Sequence, residues 1–219
     1  MTCTLYGHPF SSYTEKVLVA LREMELDFEF KVLGPDAVDA VAEFESISPM
    51  RRMPVLIDDG EAVFETSIII EHLGLAYPGA PRLIPEDAKA ALEVRLMDRF
   101  FDNYVMTPML RRAFNAGRPE DRRDPQADEE ARAQLDTAYA WLDGVMGGRT
   151  WAAGDAFSLA DCGAAPALLF AHWAQPIAAD FAHVQTYRQR LLRRPSFARI
   201  VDDARPFRPY FPLGAPEQD

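Results

Sequence analysis

Apolar and polar residues alternate with two different periods in the first third of the chain. Apolar side chains fall at Val17, Ala20, Leu21 and Met24, the spacing of one face of a helix. Residues 28–33, FEFKVL, instead alternate with the period of a strand. With the short run TCTLY before the helix, the pattern predicts strand, helix, strand.

The residues that follow predict a second helix, a hairpin and a third helix. A weaker helical pattern covers about residues 36–47, and TSIIIEHLGLAY is typical of a helix. Between them, PVLI (54–57) and AVF (62–64) flank DDGE, where Gly60 supplies the positive φ that such turns need. The predicted order is β-α-β-α-β-β-α, a small mixed sheet with helices packed against it.

The rest of the chain predicts a bundle of helices. Prolines and a glycine mark a linker at residues 79–87, and residues 88–204 show helical periodicity without a convincing strand. The prediction is an α/β domain over residues 1–78 and an all-α domain over 88–219. The tail cannot be helical throughout, since it contains Pro206, Pro209, Pro212 and Pro216.

Charge and cysteine content exclude some classes of function. The net charge of −11 argues against nucleic-acid binding, and the first 80 residues carry 5 Lys and Arg against 14 Asp and Glu. Cys3 and Cys162 lie far apart, which fits a reducing compartment. The N-terminus lacks a signal-peptide pattern, and residues 164–171 are too short to span a membrane. We therefore expect a cytoplasmic protein with no membrane partner.

Two adjacent serines in HPFSSYTEKV (8–17) stand between the first strand and the first helix. A serine there commonly caps the helix by accepting a backbone hydrogen bond. A hydroxyl at the same place can also serve chemistry, because the positive end of a helix favours an anion. The four histidines show no metal-ligand spacing, and no Walker A loop is present. We predict no metal.

Four motifs in order carry a family resemblance over nearly the whole chain. TLYGHPFSSYTEKVLVAL, SPMRRMPVL, FETSIIIEHL and FSLADCGAAPAL together resemble the cytosolic glutathione S-transferases, nearest to the serine-type bacterial, theta-like and zeta-like members. The resemblance implies a thioredoxin-like N-terminal domain that binds glutathione as co-substrate. It also implies a helical domain that helps to bind a small hydrophobic electrophile, and a homodimer.

The first motif assigns the catalytic hydroxyl by resemblance. Ser11 falls where serine-type members keep it, and Ser12 is the alternative, expected instead to cap the helix. Tyr6 lies one position from the slot used by tyrosine-type members, so we expect it to pack in the core. Tyr13, in the first helical turn, is a further alternative for a hydroxyl that reaches the site. The absence of a CxxC motif counts against thiol–disulfide exchange.

The second and third motifs assign the residues that hold glutathione. MRRMPV matches the family's cis-proline segment, which implies a cis Met53–Pro54 bond and a Met53 backbone that pairs with the peptide. Arg52 matches a position near the glycyl carboxylate, whereas Arg51 is a weaker match. The alternative is that both arginines only balance the acidic surface around them. Glu65 and Thr66 match the pair that holds the γ-glutamyl end, unless Thr66 only caps the helix.

The remaining assignments concern the second substrate and the fold. Ser158 and Asp161 in FSLAD form a capping-box pattern, to which we assign a structural role. Phe10, Tyr13 and Tyr104 are candidates for the electrophile pocket, and Phe101, Met106 and Arg111 lie on the same predicted helix as Tyr104. Aromatic residues of the tail, Phe207, Tyr210 and Phe211, either cover the opening or pack on the body.

The resemblance therefore predicts a glutathione transferase that conjugates the glutathione thiolate to an electrophilic carbon. Its acidic first domain is expected to face the helical domain of its partner in the dimer. A glutathione-dependent isomerase, dehalogenase or lyase would keep the same motifs and change only the electrophile pocket. A non-catalytic binding or regulatory relative is the alternative of a different class.

Overall fold

The protein is described here by a computed structural model that covers residues 3–217 and residue 219. These residues fall into two compact units that divide between Pro85 and Glu86.

The first unit has the predicted order β-α-β-α-β-β-α. Its strands and helices are β1 Cys3–Gly7, α1 Ser12–Glu23, β2 Phe28–Val32, α2 Val38–Ile47, β3 Val55–Asp58, β4 Glu61–Val63 and α3 Thr66–Ala76. The hairpin between β3 and β4 turns at Asp59 and Gly60, both of which have positive φ. The prediction of this hairpin is confirmed.

The four strands form one mixed sheet in the order β2-β1-β3-β4. Strand β1 pairs in parallel with β2, antiparallel pairing joins β1 to β3, and β4 follows β3 as a hairpin. A parallel β1–α1–β2 crossover followed by an antiparallel hairpin and a helix is the arrangement expected of a thioredoxin-like domain.

Helix α1 is the central helix of this unit. From Thr14 to Leu21 every residue of it is buried. The predicted apolar face, which includes Val17 and Leu21 with no exposed surface, is only part of this burial. Lys16, which lies outside this apolar pattern, is also enclosed, and it is held by packing and by a hydrogen bond to Ser67 on α3.

The second unit is helical, as predicted. It contains α4 Ala88–Phe100, a π-helical segment Phe101–Met106, α5 Thr107–Ala116, α6 Pro125–Met146, α7 Leu159–Ala174, α8 Ala182–Leu192 and α9 Pro195–Ala204, with 3₁₀ turns at Glu120–Arg122 and Arg205–Tyr210. The proline-containing tail is thus helical only in one short turn, in agreement with its composition.

The π-helical segment interrupts a stretch that the sequence predicts as ordinary α-helix. Pro108 has no N–H to donate to the carbonyl of Tyr104, so the usual hydrogen-bond ladder cannot continue across it. Both the backbone N–H and the hydroxyl of Thr107 instead bond to the carbonyl of Asp102, the latter at 2.9 Å. The proline therefore accounts for the local change of helical period.

The capping box at the start of α7 is confirmed and is more extensive than the motif indicates. Asp161, with no exposed surface, accepts hydrogen bonds from the Ser158 N–H at 2.9 Å and from the Ala152 N–H at 2.8 Å. It also accepts one from the hydroxyl of Tyr187 on α8, at 2.6 Å. Burial raises the pKa of Asp161, and these donors oppose that rise. The carboxyl group joins a loop and two helices.

Candidate active site

The register of the sheet places two of the predicted glutathione-binding segments at one edge. Tyr6, near the end of β1, pairs with Val55 at the start of β3. The loop after β1 leads to Ser11, and the loop before β3 contains Met53 and Pro54. Because β1 and β3 are antiparallel neighbours, these two loops lie side by side.

A buried hydrogen bond brings the third segment, the start of α3, to the same place. Lys16 Nζ donates to Ser67 Oγ at 3.1 Å, and Lys16 is 1% exposed. Lys16 lies in the second turn of α1 and Ser67 in the first turn of α3, so the bond joins the N-terminal parts of the two helices. Helix N-termini carry partial positive charge, so their meeting point suits a ligand with anionic groups.

The turn between β1 and α1 is fixed by a close approach and two hydrogen bonds. A Cβ atom on Gly7 would lie only 2.5 Å from Cγ2 of Thr14, so no larger residue fits without displacement. The Ser11 N–H donates to the His8 carbonyl at 3.0 Å, and the Phe10 N–H donates to Nδ1 of His8 at 3.0 Å. The backbone that carries Ser11 is therefore held at several points.

Ser11, not Ser12, caps helix α1. Ser11 has extended backbone angles, φ −112 and ψ 116, and its Oγ accepts a hydrogen bond from the Thr14 N–H at 3.4 Å. Ser12 is the first residue of the helix and is 8% exposed. The expectation that Ser12 is the cap is wrong, because the change from extended to helical backbone occurs one residue earlier.

The cap leaves the hydrogen of the Ser11 hydroxyl available. Its oxygen accepts from Thr14, and across the described part of the chain its hydrogen has no acceptor. A hydroxyl both accepts and donates, so capping does not use its donor function. Ser11 can therefore stabilise the helix and donate to a ligand atom at the same time.

His8 beside this turn is held in its neutral form. Burial lowers the pKa of its imidazole, because the charged form loses solvation. Acceptance of the Phe10 N–H by Nδ1 assigns the remaining ring proton to Nε2. His8 thus acts here as a hydrogen-bond acceptor that shapes the loop in front of Ser11.

The segment before β3 contains the predicted cis peptide bond, Met53–Pro54. Arg52 in front of it is exposed. Arg51 has a positive φ of 50 and forms an exposed ion pair with Glu45 at 3.4 Å. Of the two arginines, Arg51 is thus engaged with acidic surface, and Arg52 stays the predicted ligand.

Glu65 stands at the start of α3 in an uncommon backbone conformation. Its φ is 66, a region that few residues other than glycine adopt. It occupies the N-cap position, yet its side chain makes no capping hydrogen bond. Thr66 is the first helical residue and is 8% exposed, so the alternative in which Thr66 is the cap is wrong. Positive φ at such a residue is a feature that clusters in binding sites.

Tyr6 is a core residue, as expected. It is 2% exposed and packs with Leu33, Phe44 and Val55. Its hydroxyl accepts a hydrogen bond from Lys31 Nζ at 2.9 Å, away from the turn that holds Ser11. Burial raises the pKa of this phenol. Tyr6 is therefore excluded as the activating hydroxyl, while Tyr13 in the first turn of α1 is half-buried.

The predicted pocket residues are distributed over both units. Phe10 and Tyr13 belong to the first unit, where both are half-buried. Tyr104 is 62% exposed in the second unit and lines a groove of about 820 Å³ between the α4–α5 stretch and α6. There its ring lies 5.7 Å from that of Phe100, which in turn lies 4.4 Å from Trp141. The groove is the size of a small-molecule site.

Other aromatic and methionine candidates belong to the core. Phe101 has no exposed surface and Met106 is 2% exposed, so neither lines a pocket. In the tail, Phe211 packs between Phe170 and Trp173, with ring centroids 5.9 and 5.5 Å away. The body-packing alternative therefore holds for Phe211, whereas Tyr210 is 75% exposed.

The described residues form neither a metal-binding cluster nor a membrane-spanning helix. Residues 3–217 and 219 contain no group of three or more His, Cys, Asp or Glu side chains placed to hold a metal ion. Within the same residues, no helix combines the length and apolar character needed to cross a membrane.

Comparison with known proteins identifies the family. Residues 5–81 match the family described as glutathione S-transferase, N-terminal domain, and residues 103–195 match glutathione S-transferase, C-terminal domain. Glutathione S-transferase 3 of Zea mays is 30% identical over 208 residues, covering 90% of this chain and 92% of the relative. The chain belongs to the glutathione S-transferase family.

Further relatives agree with this placement. Glutathione S-transferase GstB of Escherichia coli is 27% identical over 90% of this chain and 97% of its own. A glutathione S-transferase from Methylobacterium radiotolerans, solved in complex with glutathione sulfonate, is 28% identical, with a TM-score of 0.78 over 92% of this chain and 95% of its own. The predicted fold class and the predicted enzyme, a glutathione transferase, are confirmed.

Sequence reasoning missed several residues that shape this glutathione S-transferase site. The sequence pattern bears on His8 only as a possible metal ligand, and it assigns no role to Lys16 or Ser67. Periodicity gives no signal for the burial of Lys16, whose side chain is held by its hydrogen bond to Ser67 on α3. For His8 the sequence holds no signal either, since its bond to Phe10 depends on the shape of the loop.

Proposed function

We propose that this chain is a serine-type glutathione transferase that joins the glutathione thiolate to a small hydrophobic electrophile. The observation that supports this most directly is the position of the Ser11 hydroxyl at the N-terminus of α1, with its hydrogen available to a ligand. The neighbouring cis-proline segment and the start of α3 supply the other parts of the site.

Ser11 acts on the sulfur atom of glutathione. Its hydroxyl donates a hydrogen bond to the thiolate, and the positive end of α1 adds a favourable field. Each unit by which these groups lower the thiol pKa corresponds to about 1.4 kcal/mol. The thiolate then attacks the electrophilic carbon, so the protein contributes charge stabilisation and positioning, without a covalent enzyme intermediate.

The remaining groups hold the tripeptide. The backbone of Met53, before Pro54, pairs with the cysteinyl part of glutathione, and Arg52 binds the glycyl carboxylate. Glu65 takes the γ-glutamyl ammonium, while Thr66 and the first N–H groups of α3 take its carboxylate. The glutathione sulfonate in the Methylobacterium radiotolerans relative supports a ligand of this kind.

The proposal extends to the second substrate and to the oligomer. As part of the same proposal, we assign contacts with the electrophile to Phe10 and Tyr13 in the first unit and, separately, to Tyr104 in the second. A homodimer is the assembly expected of the family, and the acidic first 80 residues are its expected contact with the partner's helical domain.

Three variants test the role of Ser11. Ser11→Ala is expected to lower kcat about 100-fold, because it removes one hydrogen-bond donor to the glutathione thiolate. The KM for glutathione should change little. It also removes the cap, at a cost of about 1 kcal/mol. Ser11→Asp retains a capping acceptor but has no donor, so it should regain stability and not activity. Ser12→Ala is the matched control and should retain activity.

The readouts separate the alternatives. Bound glutathione thiolate absorbs in the ultraviolet, so its absorbance can be followed against pH. This measurement should give a higher pKa for the bound thiol in Ser11→Ala than in the parent protein. If Ser12→Ala abolishes turnover and Ser11→Ala does not, Ser11 is not the activating residue. Binding to immobilised glutathione, followed by a panel of electrophiles, distinguishes a transferase from an isomerase, a dehalogenase or a protein that does not use glutathione.

A further inference from the structure

A stretch of 21 residues in the helical unit contrasts with the charge of the rest of the chain. Residues 181–201 contain five arginines and no Asp or Glu, although the chain as a whole carries a net charge of −11. This stretch forms α8 and the first part of α9. The positive charge is therefore concentrated on one pair of helices.

A groove of about 770 Å³ lies along this pair of helices. Its lining includes Trp151 and the polar or basic residues Gln185, Gln189, Arg190, Arg193 and Arg194. The volume falls in the range of binding sites, and the lining includes several side chains that can donate hydrogen bonds. It contains no acidic residue.

Two of the arginines are held in place by aromatic rings. The guanidinium of Arg194 lies 3.9 Å from the ring centre of Phe157 and 5.0 Å from that of Trp151. Arg190 lies 5.9 Å from the Trp151 ring and donates to the carbonyl of Thr150. These cation–π contacts restrict the two guanidinium groups before any ligand arrives, which lowers the entropy lost on binding.

Arg193 adds a further positive charge to the groove. It is exposed at the C-terminal cap of α8, and the described residues offer its side chain neither an ion pair nor a hydrogen bond. Among residues 3–217 and 219, no carboxylate lies within N–O contact distance of the Arg193 or Arg190 guanidinium. The groove thus presents guanidinium groups that can form paired hydrogen bonds with carboxylates.

The shape of the groove indicates the size of its ligand. Lining residues run along α8 from Ala182 to Arg193, which at 1.5 Å per residue is a length of about 16 Å. That length corresponds to roughly five residues of extended peptide at about 3.3 Å each. A long polyanion such as a nucleic acid is disfavoured by the net negative charge of the chain.

We propose that this groove, formed by Trp151, Arg190, Arg193 and Arg194, binds a short acidic peptide segment of a partner protein. The site belongs to the helical unit alone and does not depend on glutathione. It would allow the enzyme to be recruited by a partner through carboxylate–guanidinium pairs, with the neutral end of the groove accommodating the flanking residues.

Fluorescence anisotropy with two labelled hexapeptides tests this proposal. Hexaglutamate should bind the full-length protein saturably, and hexaglutamine should not bind. Arg193→Glu should weaken hexaglutamate binding about tenfold or more, because it removes one attraction and adds a repulsion. Arg199→Glu is the matched control: it makes the same change of charge at an exposed residue of α9 outside the groove, and should weaken binding no more than about twofold.

The outcomes decide between a site and a merely basic surface. Equal weakening by Arg193→Glu and Arg199→Glu, or no binding of hexaglutamate at low salt, would overturn the proposal. Competition by free glutarate at the same concentration as the peptide would show a small-molecule carboxylate site, and would also overturn it. Arg193→Gln, together with thermal unfolding of each variant, controls for any effect of charge reversal on folding.

Discussion

Lys16 Nζ donates a hydrogen bond to Ser67 Oγ at 3.1 Å and is enclosed by the first unit, with 1% of its surface exposed. The bond joins the second turn of α1 to the first turn of α3. These two turns follow Ser11 and Glu65, the residues proposed to act on the thiol and on the γ-glutamyl group. The spacing of the two ends of the proposed glutathione site thus depends on one buried lysine.

Lys16→Met should therefore affect glutathione binding more than turnover. Loss of the bond leaves Ser67 without this donor and costs about 1.5–3 kcal/mol, as hydrogen bonds from charged groups do. We expect a several-fold higher KM for glutathione with a smaller change in kcat, measured by steady-state kinetics. Lys16→Arg, which retains a charged donor, should partly restore KM. An unchanged KM in a folded Lys16→Met protein would contradict a positioning role.

Gly7 is predicted to tolerate no side chain, because Thr14 lies too close to it. A double variant can test this cause. A Cβ atom there would lie 2.5 Å from Cγ2 and 2.6 Å from Oγ1 of Thr14. Gly7→Ala should lower the free energy of unfolding by about 1–3 kcal/mol, the usual cost of overpacking. Thr14→Ala in the same protein removes both atoms and should recover much of that loss, in a double-mutant cycle measured with denaturant.

A second glycine provides the control for Gly7→Ala. Gly74 in α3 is exposed and an added Cβ would meet no atom within 4 Å. Gly74→Ala should stabilise the protein by about 0.5–1 kcal/mol, since alanine is the better helix former. If the two glycine variants change stability alike, the close approach to Thr14 is not what requires Gly7.

Asp161 should be among the most sensitive positions of the helical unit. Asp161→Ala leaves the Ala152 N–H and the Tyr187 hydroxyl without their acceptor, and each such buried group costs about 1–3 kcal/mol. We expect a loss of about 3 kcal/mol or more in chemical denaturation. Ser158→Ala removes only the hydroxyl of the cap and should cost about 1 kcal/mol. A loss in Asp161→Ala no larger than that would contradict this role.

The sequence predicts the order of the elements well because that order depends on local patterns. Alternation in residues 28–33, the turn at Gly60 and the Ser158–Asp161 motif each specify structure within a few residues. The capping serine was misplaced because Ser11 and Ser12 have the same chemistry, and only the backbone angles at Ser11 distinguish them. The periodicity of apolar residues does not locate the first residue of a helix to within one position.

The pattern of apolar and polar residues in the sequence does not predict which polar residues are buried. Periodicity assigns Val17 and Leu21 to the core but gives no reason to enclose Lys16, whose place is set by α3 across the unit. Likewise, the π-helical segment depends on how Pro108 and Thr107 redirect hydrogen bonds within one long helix. Such features arise from tertiary packing and backbone bonding, which a one-dimensional pattern does not contain.

The stability of the helical unit should fall in mild acid because of His172. Burial, assisted by the nearby charge of Arg188 and opposed by that of Asp219, lowers the pKa of His172 from 6.5 to about 4. As the pH falls through this range, the unfolded chain binds a proton that the folded protein excludes, so unfolding becomes more favourable. The effect is absent above pH 6.5 and complete near pH 4.

His172→Asn should remove this part of the acid sensitivity. Its side-chain oxygen can replace Nδ1 of His172, which accepts the Ile177 N–H at 3.2 Å, but it does not titrate. Thermal unfolding at pH 7 and pH 5 should show a smaller drop in Tm for His172→Asn than for the parent protein. His183→Asn, at a histidine whose side chain is 56% exposed, is the control. If Tm falls by the same amount in His172→Asn and in the parent protein between the two pH values, His172 does not contribute to the acid sensitivity. Burial also lowers the pKa of His8, in the first unit, so His8 is then the next histidine to vary.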